Sequence, residues 1–290
     1  MKIIGFSFIR NAIKYDYPIL EAIRSILPLC DEVIVAVGNS DDETRALVAA
    51  IDPAKVRILD TVWDDTLREG GRVLAVETDK ALAAVAPDAD WAIYIQGDEV
   101  IHEKYLPELR RAMAQYRTDG NVDGLLLNYL HFYGSYRYVG DSRKWYRREI
   151  RVIKPNSNVM AYRDAQGFRK KDNTKLRVKL VDAWVYHYGW VKPPDRQRLK
   201  LADSSKFWND DTKMNGVRQR VADFDYSEID SLAIFNGTHP AVMQERVQRM
   251  DWLFDFDIRQ KNYSTKNRIL MIIQRYTGWC IGEYRNYKLV

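Results

Sequence analysis

Five consecutive residues, Trp91-Ala92-Ile93-Tyr94-Ile95, carry only apolar or aromatic side chains and are halted at once by Gln96-Gly97-Asp98-Glu99. An unbroken run of this length suits a strand covered on both faces, which requires a sheet with helices packed above and below it. The preceding sequence supplies such a sheet. Strands are predicted at Ile3–Ile9, Glu32–Val37 and Val56–Leu59, and helices at Tyr17–Leu27, Asp42–Ile51 and Arg72–Ala86. Pro28 stops the first helix, Ser40 or Asp41 is expected to cap the second, and Gly70-Gly71 opens the third. This alternation predicts an α/β fold with a mixed, mostly parallel sheet flanked by helices.

Further on, a helix is predicted over Lys104–Tyr116 and strands at Gly124–Tyr129, Arg151–Ile153 and Ala183–Tyr188. From Pro193 the strand signal fades, and helical patterns around Arg196–Trp208 and Ala241–Asp255 predict a mainly helical C-terminal extension. The expected division is therefore residues 1–190 as the sheet domain and 191–290 as the extension. The 46% apolar and 29% charged composition of the 290 residues is that of a folded globular chain. No stretch approaches the ~18 uninterrupted apolar residues of a membrane span. The apolar run in Met1–Arg10 is too short for a signal peptide. With only Cys30 and Cys280, both expected as free thiols, a cytoplasmic location is anticipated.

Charge is unevenly distributed. The chain has a net charge of +5, yet Arg137–Lys179 alone holds 14 Lys/Arg against Asp141, Glu149, Asp164 and Asp172. A basic surface of this kind suits an anionic partner, such as small-molecule phosphates, a lipid headgroup or nucleic acid; a merely solvated face is the plain alternative.

In open α/β sheets ligands collect where strands end. The strand exits are Arg10-Asn11, the run Gly38-Asn39-Ser40-Asp41-Asp42, and Gln96-Gly97-Asp98-Glu99. Two adjacent carboxylates straight after a buried strand need compensation, and a hard cation with oxygen ligands supplies it. A diphosphate fits the same place, because magnesium typically takes one or two protein carboxylates and fills its shell with phosphate oxygens and water. The structural alternative has Asp98 capping the next helix and Glu99 in solvent. His187, in Val185-Tyr186-His187-Tyr188-Gly189-Trp190 at another strand exit, is the expected nitrogen partner of Asp98; a satisfied core histidine is the alternative.

The succession of these motifs, closing with Asp90-Trp91-Ala92-Ile93-Tyr94-Ile95-Gln96-Gly97-Asp98-Glu99, resembles the family 2 glycosyltransferases of the GT-A fold over the first two-thirds of the chain. The resemblance implies a divalent metal, Mn or Mg, on Asp98 and His187 with Glu99 beside them. It implies a nucleoside diphosphate sugar donor against Phe8, Arg10, Asn11, Asn39, Ser40, Asp42, Gly71, Gln96, Gly97, Asp98 and Lys192. Ser40-x-Asp42-x-Thr44 is similar to the family's Ser-x-Asp-x-Thr, whereas Gln96 stands where its first motif aspartate is expected and Val37-Gly38 where an aspartate pair is. Gln96-Gly97-Asp98-Glu99 with His102-Glu103 resembles a subgroup that carries glutamine there.

The implied activity is metal-dependent transfer of a sugar to a hydroxyl of a glycan, polysaccharide or lipid-linked acceptor, as in cell-envelope polysaccharide synthesis. Lys192 or Arg196 is expected to assist at the diphosphate. Asp164 is expected as the general base, with Glu149 the other candidate. The aromatics of Tyr129–Tyr146 are expected either to form an acceptor groove or to fill the core. Arg268–Tyr287 mixes aromatic, aliphatic and basic residues, as a helix lying on the inner face of a membrane would, or one docked on the main domain. A sugar-phosphate nucleotidyltransferase, a basic and aromatic nucleic-acid-binding protein and a catalytically dead binding module are the competing classes; nucleic acid is not the expected partner.

Overall fold

The computed structural model describes residues 1–156, 158–209 and 211–290. Its strands are β1 (Ile3–Ile9), β2 (Glu32–Val37), β3 (Val56–Asp60), β4 (Trp91–Tyr94), β5 (Glu99–Ile101), β6 (Gly124–Tyr133), β7 (Ser135–Gly140), β8 (Arg148–Ile153), β9 (Val159–Tyr162), β10 (Gly167–Lys170), β11 (Leu176–Trp190), β12 (Leu232–Ile234) and β13 (Tyr287–Leu289). The helices are α1 (Ile19–Ile26), α2 (Thr44–Ala49), α3 (Arg72–Ala83), α4 (Leu106–Tyr116), α5 (Pro194–Ser204), α6 (Asp211–Ala222), α7 (Gln244–Gln248) and α8 (Thr265–Thr277).

The expected α/β architecture is present. The main sheet runs β12-β7-β6-β8-β4-β1-β2-β3, with β11 joined to β6, β5 and β13. Its first four strands are wholly parallel, and β8, β6, β7 and β12 extend it antiparallel. Period-two alternation divides each strand between two cores. Ile3 and Ile9, Val33 and Val35, and Trp91 and Ile93 face α1 and α4. Ile4 and Phe6, Ile34 and Ala36, and Ala92 and Tyr94 face α3 and the β9–β10 hairpin. The run at 91–95 has no polar residue because both of its faces are covered.

The C-terminal segment departs from expectation. The helical pattern at Ala241–Asp255 yields only a 3-10 turn and the short α7. Beyond it the chain runs irregularly, because Trp252, Phe254 and Phe256 pack against the tyrosines of β6 and β7 instead of lining one helix face. This segment also returns β12 and β13 to the sheet.

A buried ion pair pins the turn between β4 and β5. Arg151 of β8 and Glu99 are both fully buried, and Arg151 Nε and Nη2 donate to the two carboxylate oxygens at 2.9 and 2.7 Å. Tyr129 Oη donates to Oε1 at 2.8 Å, and the Gln96 amide donates to Oε2 at 3.1 Å. The guanidinium lies between the rings of Tyr94 and Tyr129. Neither alternative for Asp98-Glu99 as helix cap and solvent-facing acid describes this arrangement: Glu99 is inside, and the next turn is capped by His102. Arg151→Met would strand a buried carboxylate and should cost about 3–5 kcal/mol in urea unfolding, with Glu99→Gln added in the same chain recovering a large part. A single variant within about 1 kcal/mol of the parent would show that the pair does not hold the turn.

Candidate active site

A cavity of about 730 Å³ opens at the carboxyl ends of β1, β2 and β4 and is roofed by α5 and α6. Among the described residues Arg10, Lys14, Lys200 and Lys206 line it, and so do Asp41, Asp98, Asp164 and Asp203. Its base is Gln96-Gly97-Asp98, and one wall holds Phe8, Trp63, Phe207 and Trp208.

Strand pairing brings Asp98 to His187. β5 runs antiparallel to β11 with Glu99 opposite His187, and the Tyr188 amide donates to the Asp98 carbonyl at 2.8 Å. Two residues 89 positions apart in sequence thus face each other, with His187 Nε2 3.7 Å from Asp98 Oδ1. Gly189 permits the approach, since a Cβ there would lie 2.7 Å from Asp98 Oδ2 and 2.8 Å from the His187 ring. Burial raises the Asp98 carboxyl pKa, but the surrounding positive charge, Lys200 foremost, outweighs it and brings the value down to about 2, so Asp98 is an anion.

A second histidine, which sequence reasoning passed over, orients the first. His131 Nε2 lies 2.8 Å from the Tyr146 carbonyl, which can only accept, so that nitrogen carries the proton. Burial, with the neighbouring His187 adding to it, lowers the His131 pKa to about 3, so the ring is neutral and its Nδ1 is an acceptor. His187 Nδ1, 3.2 Å away, must then donate. Burial also lowers the His187 pKa, against the pull of Asp98. In its neutral form His187 presents the Nε2 lone pair to the Asp98 carboxylate. Two lone pairs facing across 3.7 Å call for a cation between them. Metal–ligand bonds of about 2.0–2.2 Å let one ion reach both atoms. Among the described residues no group of three or more His, Cys, Asp or Glu side chains is arranged to hold a metal. Asp98 and His187 could therefore supply at most two protein ligands to a cation.

Of the other residues expected at the site, Phe8, Arg10, Asn11, Gln96, Gly97 and Asp164 line the cavity. Asp164 Oδ1 is buried with no hydrogen-bond partner, and burial raises the carboxyl pKa. Asp164 stands between Arg163 and Ala165, both with left-handed backbone, at φ 56° and 63°. Gly71 lets it in: a Cβ on Gly71 would lie 2.7 Å from the Asp164 Cβ and 2.9 Å from Trp208.

Ser40, Asp42 and Thr44 brace two exit loops. Ser40 Oγ accepts from the Asn11 amide at 3.0 Å, Asp42 Oδ2 from the Lys14 amide at 2.8 Å, and Thr44 Oγ1 from the Ala12 amide at 2.6 Å. This explains why Ser40 and Asp41 do not cap α2, whose N-cap residue, Glu43, makes no side-chain capping bond. Asn39 accepts from the Trp63 amide at 3.2 Å.

Four expected residues, Glu99, Lys192, Glu149 and Arg196, are placed elsewhere. Glu99 is committed to Arg151, as described above. Lys192 is fully buried behind Tyr17, its Nζ donating to the Tyr15 carbonyl at 2.8 Å, and it is not a lining residue; Lys200, eight positions on, reaches Asp98 instead. Glu149 is buried beside Gly167 and Asn286 rather than at the cavity, and burial raises its carboxyl pKa to about 8. Arg196 donates to the Lys14 carbonyl at 3.2 Å.

The basic segment is largely consumed by internal partners. Arg177 pairs with Asp123, Arg147 with Glu283, and Lys154 donates to the Asp119 carbonyl. The aromatics of β6 and β7 are core residues: Phe132 stacks on Tyr188 with centroids 4.7 Å apart, and Tyr133 meets Tyr226 at 5.2 Å.

No protein-family profile and no curated protein matches the chain. Among solved structures, residues 1–349 of S. aureus TarS match over 77% of this chain and 71% of that one, with 13% identity and a TM-score of 0.40. The same protein in complex with UDP matches with 12% identity and a TM-score of 0.39, at the same coverages. Glucosyl-3-phosphoglycerate synthase from Mycobacterium tuberculosis, in complex with Mn2+, uridine diphosphate and phosphoglyceric acid, matches over 45% of this chain and 43% of that one, with 23% identity and a TM-score of 0.30. Similarity at this level leaves the chemistry to the geometry of the site.

Proposed function

We propose that this chain is a glycosyltransferase that moves a sugar from a nucleoside diphosphate donor to a hydroxyl acceptor, with the diphosphate held over Asp98. The observation that carries this reading is the facing pair of Asp98 carboxylate and His187 Nε2 lone pair at the floor of a cation-lined cavity. Asp98 and His187 would hold a divalent Mn or Mg ion. When bound, such an ion neutralises charge on the departing diphosphate.

The chain's own groups do the remaining work. Arg10, Lys14, Lys200 and Lys206 offer charge-assisted donors to the diphosphate. The Phe8–Trp63–Phe207 wall, with neighbouring rings inclined at 51° and 49°, offers aromatic faces to a nucleobase or sugar, and Arg10 is held 5.6 Å over the Trp63 ring. Asp164 accepts the acceptor's hydroxyl proton: it is the lining carboxylate with a buried, unpartnered oxygen, and its burial makes it a stronger base. Glu149, away from the cavity, is not assigned the base role.

The decisive experiment pairs binding with turnover. A nucleoside diphosphate panel with manganese should contain a member that raises the unfolding midpoint by about 5 °C at roughly a hundredfold excess over Kd. Asp98→Ala should abolish that shift. Asp164→Asn should keep it while losing about a hundredfold or more in sugar transfer. Stabilisation that survives Asp98→Ala would remove the site; full turnover in Asp164→Asn would remove the base.

The acceptor reading is of a glycan or lipid-linked hydroxyl presented at the inner face of a membrane. No helix among the described residues is long and apolar enough to cross one. Ile269, Ile272, Tyr276 and Trp279 are exposed along one side of α8 and just beyond it, and residues 265–279 carry Lys266, Arg268 and Arg275 with no acid. Exposed apolar residues flanked by cations suit an anionic bilayer surface. The protein should float with vesicles containing anionic lipid and not with neutral ones, and an Ile272→Asp, Trp279→Ser double variant should stay at the bottom. Equal flotation of parent and variant would refute the docking while leaving the transferase reading intact.

A further inference from the structure

Lys200 reaches the proposed cation site from the roof. Its Nζ lies 3.3 Å from Asp98 Oδ2 and 3.1 Å from the Gly189 carbonyl, and it sits 4.8 Å over the Tyr17 ring. His187 Nε2 faces the other Asp98 oxygen. An ammonium therefore shares the one carboxylate that a divalent ion would need. Its second acceptor, a neutral carbonyl, does not offset the repulsion between that ammonium and a dication at the same group.

The arm that carries Lys200 is fastened in part by charge. Asp203 accepts from Tyr15 Oη at 2.7 Å and pairs with Lys14 at 3.1 Å. Lys206 pairs with Asp65 at 3.0 Å, and Asp65 also holds Arg10 at 3.0 Å. Each of these cations lines the cavity, so an incoming diphosphate meets the same groups that latch the roof.

We propose that Lys200 is a tethered counter-ion which the metal must displace from Asp98, and that the donor diphosphate takes up the displaced ammonium. This deepens the reading of Asp98 and His187 as the cation site and rests on it. The consequence is a coupling between two ligands. Metal alone binds weakly because it must expel Lys200 from both the Asp98 carboxylate and the Gly189 carbonyl. Metal with diphosphate binds tightly because the ammonium moves to a phosphate oxygen. By linkage, each ligand strengthens the other by the same factor.

The test is calorimetric titration of manganese into parent, Lys200→Met, Lys200→Arg and Asp98→Ala proteins, each with and without uridine diphosphate, after thermal unfolding confirms that the variants are folded. Lys200→Met should bind manganese alone about tenfold more tightly than the parent, and its gain from the diphosphate should shrink, since no ammonium has to move. Lys200→Arg, which keeps the charge, should retain weak metal binding and a large gain. If Lys200→Met binds manganese alone no better than the parent while Asp98→Ala abolishes binding, the displacement idea is overturned and the cation site stands. If Asp98→Ala binds manganese as well as the parent under both conditions, the cation site fails and this inference fails with it.

Discussion

The bidentate pair between Arg151 and Glu99 is the interaction on which the site depends. It joins β8 to the turn between β4 and β5, and with Tyr129 Oη and the Gln96 amide it occupies the whole acceptor capacity of the Glu99 carboxylate. A buried ion pair of this kind is weak evidence for stability, because desolvation cancels much of its Coulombic gain. Its use is positional. With residue 99 locked under the sheet and paired in register with His187, the neighbouring carboxylate at 98 is held at the cavity floor beside the imidazole.

From that anchor the electrostatics follow in one direction. The Tyr146 carbonyl sets the proton on His131, His131 sets the proton on His187, and His187 is left with a lone pair toward an aspartate that stays ionised. A ligating histidine whose second nitrogen donates to a fixed acceptor is a familiar arrangement around bound metals, and it selects both tautomer and ring orientation. The opposing side of the cavity is a ring of acids and bases already paired with one another, Lys14 with Asp41 and Asp203, Arg10 and Lys206 with Asp65. Such a ring is at rest without ligand and can re-pair around a diphosphate.

Local pattern made much of this legible. The parallel strands showed as apolar runs, and the exits at Arg10, Asp41 and Asp98 line one cavity because parallel strands end on the same edge. Asp98 is readable because it follows a strand signal, whereas His187, expected at a strand exit, lies inside β11, three residues before its end. What failed to read was whatever depends on a distant partner. Glu99 looked like a second ligand since nothing near it in sequence announces Arg151, 52 residues on. Lys192 is expected at the diphosphate, but the chain turns inward there to meet the carbonyl of Tyr15, while Lys200 is one of three cations on a polar helix. The Ser40-x-Asp42-x-Thr44 motif was visible, yet its oxygens go to the backbone of the β1 exit loop. His131 lies mid-strand among aromatics, with no sequence mark to distinguish it from a core residue.

Under the proposed function, a divalent ion would be held by Asp98 and His187 next to a bound diphosphate. Pulsed electron paramagnetic resonance of Mn2+ bound to the protein with a nucleoside diphosphate reads those contacts directly. Coupling to one imidazole nitrogen and to phosphorus is expected in the same spectrum, with the nitrogen signal gone in His187→Gln. A spectrum with phosphorus coupling alone, or a nitrogen signal that persists in His187→Gln, would contradict it.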